Sequence, residues 1–238
     1  MSQRNEDRAK VRDFKAKGLI SLLGKPSSGV QWPSVLAAGF VTALIPNIKK
    51  IVQMKPDYIP DYVENPDDVL THLLALNWLN ATEARLEYFM SDEPRSYIYG
   101  KPPHDREYHS SVYTDEVTKI QSMLNTEMQA NFNVCFLNRY DTQKNQLGWH
   151  ADDSPTMDRD HPIAVVSFGA EREIWWKLQT ENGVVPPEQR QKLGHGSLFV
   201  MPARFQDTYF HRIPKADREV GIRVSLTFRR YVPLEKVT

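Results

Sequence analysis

Three residues of this sequence could bind one metal ion. His150 and Asp152 are separated by a single residue, so on an extended strand their side chains point to the same face, about 6–7 Å apart along the chain. His211, in the run TYFHRIP, is the candidate third ligand. Two imidazoles and one carboxylate leave coordination positions open at the metal. This ligand set suits a ferrous ion, and it could equally hold a hydrolytic zinc ion.

The run RVSLTFR near the C-terminus offers cationic side chains for the same site. Alternation along a strand places its polar residues on one face, from Arg223 to Arg229, and its apolar residues on the other. The polar face could point to water. If the strand instead lines the same barrel as His150 and His211, its buried guanidinium groups need anions, and the arginine fork suits a carboxylate. A ferrous ion beside arginines that bind a small dicarboxylate is typical of a 2-oxoglutarate-dependent oxygenase.

Short runs of β-type residues dominate the chain from residue 132 onward and must position these side chains. They are FNVCFLNRY, PIAVVSFGA, REIWWKLQ, GSLFVMP, TYFHRIP and IRVSLTFRRY, separated by polar turns. Many short strands with turn signals indicate a β-sandwich or barrel rather than a wound α/β fold. Two helices are expected before them. The first begins with the capping segment Asn65–Asp68 and continues through about Asn80, and the second covers Thr114–Ala130.

The composition divides the chain into two parts. Residues 1–54 are expected to form an N-terminal extension, with a basic leader followed by a segment at 35–54 that packs as a short helix or strand. Residues 55–238 are expected to form the main domain. Over the whole chain 30 Lys and Arg balance 30 Asp and Glu. Bulk positive charge therefore does not hold nucleic acid, and any such contact needs a local patch.

Cysteine content and hydropathy limit the location of the protein. The single cysteine, Cys135, excludes an intramolecular disulfide and a cysteine-clustered zinc site. The charged N-terminus has no apolar signal core, and the longest apolar stretch, 35–45, is too short to span a bilayer. We expect a soluble intracellular protein, cytoplasmic or nuclear, with no membrane contact and a monomeric state.

Four motifs follow one another in the second half of the chain: NRY at 138–140, GWHADD at 148–153, His211, and RVSLTFR at 223–229. In these motifs the sequence resembles the AlkB-like Fe(II)/2-oxoglutarate-dependent dioxygenases, with their Asn-x-Tyr, GWHxDD, distal histidine and RxNxTxR patterns. The resemblance covers about residues 55 to 231 and includes YIPDYV and PRSYIYGK. It implies an α+β, β-dominated fold: a double-stranded β-helix (jelly roll, cupin-like) core with N-terminal and flanking helices.

The resemblance implies a role for each matching residue and three cofactors: Fe(II), the cosubstrate 2-oxoglutarate and O2. His150, Asp152 and His211 are the implied catalytic iron ligands. Arg223 is the implied partner of the distal carboxylate of 2-oxoglutarate, and Arg229 lies near its metal-chelating end. The remaining implied cosubstrate residues are Asn138, Tyr140 and Ser225.

The resemblance also implies a nucleic-acid partner and oxidative demethylation of N-alkylated bases, as in DNA repair. The repair enzymes have an acidic residue where Ser154 stands, and the duplex-repair branch has a protruding hairpin where only four residues separate YF (88–89) from PR (94–95). We therefore expect single-stranded DNA or RNA to be favoured. The candidate substrate-binding residues are five. Tyr97 and Tyr99 match the family's lid segment, although packing is an equal alternative for them. Trp149 is close to the metal ligands in sequence, and Asp153 and Ser154 complete the set.

Three alternative interpretations stand beside this one. A 2-oxoglutarate-dependent hydroxylase could instead act on another nucleobase modification, a protein side chain or a small metabolite, and the neutral net charge favours that option. A non-catalytic binding module on the same scaffold has no need of the full set of metal and cosubstrate residues. A zinc hydrolase with the same ligands leaves Arg223 and Arg229 without a role.

Overall fold

The computed structural model describes residues 54–99, 103, 105–179 and 187–232, with Tyr99 described by its backbone alone. The predicted extension, including the segment at 35–54, lies outside the described residues except for Met54. No helix within the described ranges is long and apolar enough to cross a membrane. The elements are β1 (Asp57–Ile59), α1 (Pro66–Leu74), β2 (Leu79–Thr82), β3 (Arg85–Ser91), β4 (Ser96–Tyr99), β5 (Arg106–His109), β6 (Ser111–Val112), α2 (Asp115–Met128), β7 (Val134–Tyr140), β8 (Leu147–His150), β9 (Ile163–Gly169), β10 (Arg172–Leu178), β11 (Gln189–Leu193), β12 (Ser197–Met201), a 3₁₀ turn (Phe205–Asp207), β13 (Tyr209–Ile213) and β14 (Arg223–Arg229).

Two antiparallel sheets form the core of the fold. The larger has the strand order β1-β12-β9-β14-β7-β3-β2, with the short β6 beside β3, and the smaller has the order β11-β10-β13-β8. Strands β4 and β5 form a separate hairpin. Neighbouring strands in each sheet are often distant in sequence, as expected for a jelly roll rather than a meander. The predicted β-dominated, jelly-roll fold with flanking helices is confirmed.

Apolar side chains fill the space on both sides of the larger sheet. Helices α1 and α2 cover its outer face, where Leu73, Val117 and Leu124 are almost fully buried. A second cluster, with Trp176 from the smaller sheet and Phe199 from the larger, lies between the two sheets. The central strands β7, β9 and β14 are therefore covered on both faces, and β14 is buried along its whole length.

The predicted strands and the second helix are confirmed, but the first helix was predicted too long. Helix α2 begins after Thr114, whose hydroxyl accepts a hydrogen bond from the backbone of Val117. Helix α1 ends at Leu74, because the Trp78 indole turns back and donates to the carbonyl oxygen of Leu73 at 3.0 Å. The residues that follow, 79–82, pair with β3 instead of continuing the helix.

A glycine turn fixes the start of β14. Gly169, at the end of β9, has φ +82°, and a Cβ there would collide with the backbone oxygen of Ile222. The next residue, Ala170, donates its N–H to that same oxygen at 2.8 Å. The close approach of these two backbones sets the position of Arg223, the first residue of β14.

Candidate active site

Three possible metal ligands converge between β8 and β13. His150 and His211 are directly opposite each other in the strand register, and their ring centroids are 4.2 Å apart. Asp152 follows β8. Its Oδ1 atom lies 3.7 Å from Nε2 of His150, and its Oδ2 atom lies 3.9 Å from Nε2 of His211. One ligand atom from each residue lies within 4.8 Å of the others. This spacing fits three ligands that share one ion.

Burial and neighbouring charges together set the protonation of the three ligands. Burial lowers the pKa of His211 to about 3, aided by His150 and by the cation of Arg229, and it also lowers the pKa of His150. Burial by itself would raise the pKa of Asp152, but Arg229 and the two imidazoles hold it well below its usual value. At neutral pH the cluster therefore presents two neutral imidazoles and one carboxylate, a donor set that fits Fe(II).

Neighbouring groups orient two of the ligands. The Nδ1 atom of His150 lies 2.9 Å from the carbonyl oxygen of Gly148, which can only accept a hydrogen bond. Nδ1 therefore carries the proton, and Nε2 keeps its lone pair for a metal. Gln206 accepts a hydrogen bond from the backbone N–H of Asp152 at 3.0 Å, and Arg229 pairs with the Asp152 carboxylate at 2.7 Å. Nothing in the sequence pattern pointed to Gln206, which lies in the 3₁₀ turn.

A cavity lined by these ligands lies between the two sheets. Arg223 lies in its wall with no exposed surface and donates from Nη2 to the hydroxyl of Ser167 at 3.0 Å. Its Nε and Nη1 make no hydrogen bond to any described residue. Burial lowers the pKa of Arg223 to about 10, an effect that Tyr140 partly offsets, so the guanidinium stays protonated at neutral pH. A buried cation with free donors fits a bound carboxylate.

The strand register brings the other predicted cosubstrate residues to the same cavity. Ser225 is directly opposite Asn138 and Arg223 is opposite Tyr140, where β14 pairs with β7. All four line the cavity together with Arg229. The polar face of β14 therefore points into the cavity and not into water, while Val224, Leu226 and Phe228 pack in the helix-covered core.

The predicted substrate residues lie in several places. Tyr97, on β4, is 3% exposed, and its ring packs against Phe89 and Phe136 of the larger sheet. Tyr99 ends β4 opposite Arg106 in the hairpin register, and its side chain lies outside the described part of the structure.

Trp149 does not reach the cavity. Adjacent residues on a strand point to opposite faces, so its indole lies on the outer face of the smaller sheet, away from the side of His150. There the ring lies 4.4 Å from Nζ of Lys177 and 4.5 Å from the guanidinium carbon of Arg212.

Asp153 and Ser154 form the turn after the metal ligands. The Asp153 side chain is exposed and its carbonyl oxygen accepts a hydrogen bond from Arg159 at 3.2 Å. The hydroxyl of Ser154 lies 3.1 Å from that of Thr156. Among the described residues around the cavity, neither Asp153 nor Ser154 contributes to its wall.

Comparison with known proteins gives consistent matches. Residues 63–229 match the family described as the 2OG-Fe(II) oxygenase superfamily. The chain is 34% identical over 111 residues to the DNA oxidative demethylase ALKBH2 of Bos taurus, which covers 45% of this chain and 40% of the relative. It is 37% identical over 107 residues to the alpha-ketoglutarate-dependent dioxygenase alkB homolog 3 of Homo sapiens, which covers 43% of this chain and 37% of the relative. The chain thus spans less than half the length of these curated relatives.

A solved structure shares the fold. The structure titled "The structure of OsALKBH1" aligns with a TM-score of 0.53 over 74% of this chain and 96% of that chain. The sequence identity is 14%, so this likeness supports the architecture alone.

Proposed function

The chain belongs to the 2OG-Fe(II) oxygenase superfamily, and we propose that it is an Fe(II)- and 2-oxoglutarate-dependent dioxygenase that dealkylates N-alkylated nucleobases in DNA or RNA. One observation carries the proposal: the cluster of His150, Asp152 and His211 opens into the same cavity as the fully buried cation of Arg223. A metal site alone would also suit a hydrolase, whereas the added buried arginine provides for a dicarboxylate.

We propose that His150, Asp152 and His211 hold Fe(II) through two imidazole nitrogens and one carboxylate oxygen. Arg223 binds the distal carboxylate of 2-oxoglutarate through Nε and Nη1, which have no hydrogen bond to described residues. The cavity wall between Arg223 and the metal ligands includes Asn138, Tyr140 and Ser225. Arg229 pairs with the Asp152 carboxylate at 2.7 Å and would lie near the metal-chelating end of a bound cosubstrate. With Fe(II), 2-oxoglutarate and O2 bound, the chemistry supplied would be oxidative decarboxylation of 2-oxoglutarate to succinate and CO2, coupled to hydroxylation of the substrate, with one oxygen atom of O2 going to each product. A hydroxylated N-methyl group then releases formaldehyde.

The protein itself supplies position, orientation and exclusion of water. Strand pairing between β8 and β13 fixes the two imidazoles before any ligand binds, so little reorganisation is needed. The apolar side chains of Val165, Ile174 and Ile213 form much of the rest of the cavity wall. They limit water access and so strengthen the attraction between Arg223 and a carboxylate.

A nucleobase substrate is supported by the relatives, which are named a DNA oxidative demethylase and an alkB homolog. A preference for single strands is supported by the connection between β3 and β4, which spans only residues 92–95. Hydrogen bonds hold this connection close to the sheet. The N–H of Asp92 donates to the carbonyl oxygen of Asn133, the N–H of Arg95 donates to the hydroxyl of Ser110, and the N–H of Ser110 donates to the carbonyl oxygen of Arg95. A short, tethered turn offers no projecting element to separate a duplex. A nucleic-acid substrate also implies an intracellular location, cytoplasmic or nuclear.

Succinate and formaldehyde release from methylated oligonucleotides tests the proposal. The purified protein with Fe(II), 2-oxoglutarate and O2 should produce the two in equal amounts from N-methylated single strands, and less from the matched duplexes. The variant His150→Ala should produce neither, while His72→Ala, at an exposed histidine outside the site, should match the unchanged protein. Turnover retained in His150→Ala would contradict the metal assignment. A clear preference for duplex would contradict the single-strand proposal.

A further inference from the structure

A buried charge cluster lies between the β4–β5 hairpin and the larger sheet. Arg85 and Glu87 share one face of β3 and are 6% and 0% exposed. Nη2 of Arg85 lies 2.5 Å from one carboxylate oxygen of Glu87. The other oxygen accepts hydrogen bonds from the Tyr108 hydroxyl at 2.5 Å and from Nη1 of Arg106 at 3.0 Å. A buried ion pair adds little to stability compared with packed apolar side chains. Stability alone therefore does not account for the cluster.

The cluster reaches the cosubstrate cavity through one hydrogen bond. Nε of Arg85 donates to Oδ1 of Asn138 at 2.6 Å. Because a guanidinium can only donate, the amide oxygen of Asn138 must face Arg85, and its NH2 group must point the other way. Asn138 lies in the cavity wall with Arg223. Arg85 therefore fixes the orientation in which Asn138 presents its N–H donors to a bound anion. In the opposite orientation the amide oxygen would face the anion and repel it.

We propose that Arg85 is a positioning residue for the cosubstrate: it orients the side-chain amide of Asn138 toward the bound 2-oxo acid, and Glu87 holds Arg85 in place. The inference rests on the proposed function, since it requires the cavity to bind an acid. Arg85 acts through Asn138, so its effect on affinity must disappear when the Asn138 amide is removed. An independent contribution to stability or charge would persist.

A double-mutant cycle on 2-oxoglutarate binding tests this inference. Calorimetric titration of 2-oxoglutarate into the Mn(II)-loaded protein measures affinity without turnover. The variant Arg85→Met should weaken binding about tenfold, the loss of one hydrogen bond to a charged group. In the Asn138→Ala background the same change should have less than about a twofold effect. Glu87→Gln should follow the same pattern with a smaller loss. Mn(II) affinity should not fall in any variant, because removal of the Arg85 cation can only favour a positive charge beside His150.

Folding does not obscure the result. Glu87 keeps Arg106 and Tyr108 as partners when Arg85 is replaced, and thermal unfolding of each variant checks that the protein is folded. If Arg85→Met does not fold, Arg85→Lys replaces it in the same cycle, because a lysine keeps the charge facing Glu87 but lacks the second donor arm. An equal loss of affinity in both backgrounds, or no loss in either, overturns the inference. Absence of 2-oxoglutarate binding to the unchanged protein would overturn the proposed function itself.

Discussion

Replacement of Arg223 by methionine should change cosubstrate affinity and stability by very different amounts. Arg223 has no exposed surface, and two of its donor nitrogens make no hydrogen bond to described residues. A carboxylate bound there gains about two charge-assisted hydrogen bonds of about 1.5 kcal/mol each. Their loss should raise the dissociation constant of 2-oxoglutarate about 100-fold. The free energy of unfolding of the ligand-free protein should change by less than about 1 kcal/mol, because a buried cation that lacks hydrogen-bond partners stabilises the fold little.

Two measurements on the same preparation test this contrast. Calorimetric titration of 2-oxoglutarate into the Mn(II)-loaded protein gives the affinity, and urea unfolding of the ligand-free protein gives the free energy of unfolding. Arg218→Met, at an exposed arginine, serves as the matched control and should change neither quantity.

An unchanged affinity in Arg223→Met would refute the assignment of this arginine to the dicarboxylate. A loss of several kcal/mol of ligand-free stability would also count against it, since Arg223 would then be a structural cation whose hydrogen bond to Ser167 matters more than its free donors.

Three further changes have defined outcomes. Trp149→Ala should leave the proposed demethylation activity unchanged and reduce the free energy of unfolding by about 1–2 kcal/mol, through loss of two cation–π contacts on the outer sheet face; a large fall in kcat/KM would place the indole in the site. Gly169→Ala should cost more than about 2 kcal/mol, because of the φ of +82° and the collision with Ile222; near-normal stability in urea would show that the turn can relax. Thr114→Ala should reduce the free energy of unfolding by about 1 kcal/mol, because it removes the N-cap of α2. An unchanged urea midpoint would show that the cap does not contribute to stability.

Alternation along strands made part of the site predictable. The pattern of β14 separates its polar and apolar residues, and both faces lie where the pattern requires: Arg223 and Arg229 in the cavity, Val224 in the helix-covered core. The spacing of His150 and Asp152 likewise predicts a shared ion, although Asp152 lies just beyond the end of β8. Local periodicity predicts which side chains share a face of a strand. It does not predict which of the two faces is buried.

Contacts between distant segments were not predictable. No pattern in the sequence marks Arg85 and Glu87 as buried, and only the pairing of β3 with β7 brings Arg85 to Asn138. The end of α1 was missed for a similar reason. Leu76 and Leu79 continue the apolar spacing of the helix, but Trp78 packs against Tyr88 on β3 and not along a longer helix. Trp149 was placed near the site by sequence proximity alone, which says nothing about the face of the strand.

The central claim is that three protein ligands hold an iron ion in the same cavity in which Arg223 binds a 2-oxo diacid. Anaerobic titration of 2-oxoglutarate into the Fe(II)-loaded protein tests it most directly, because a 2-oxo acid chelated to Fe(II) produces a visible charge-transfer absorption. We predict an absorption band that saturates at one equivalent, is absent in His211→Ala, and requires about 100-fold more 2-oxoglutarate in Arg223→Met. No band in the unchanged protein, or an undiminished band in His211→Ala, would contradict the account.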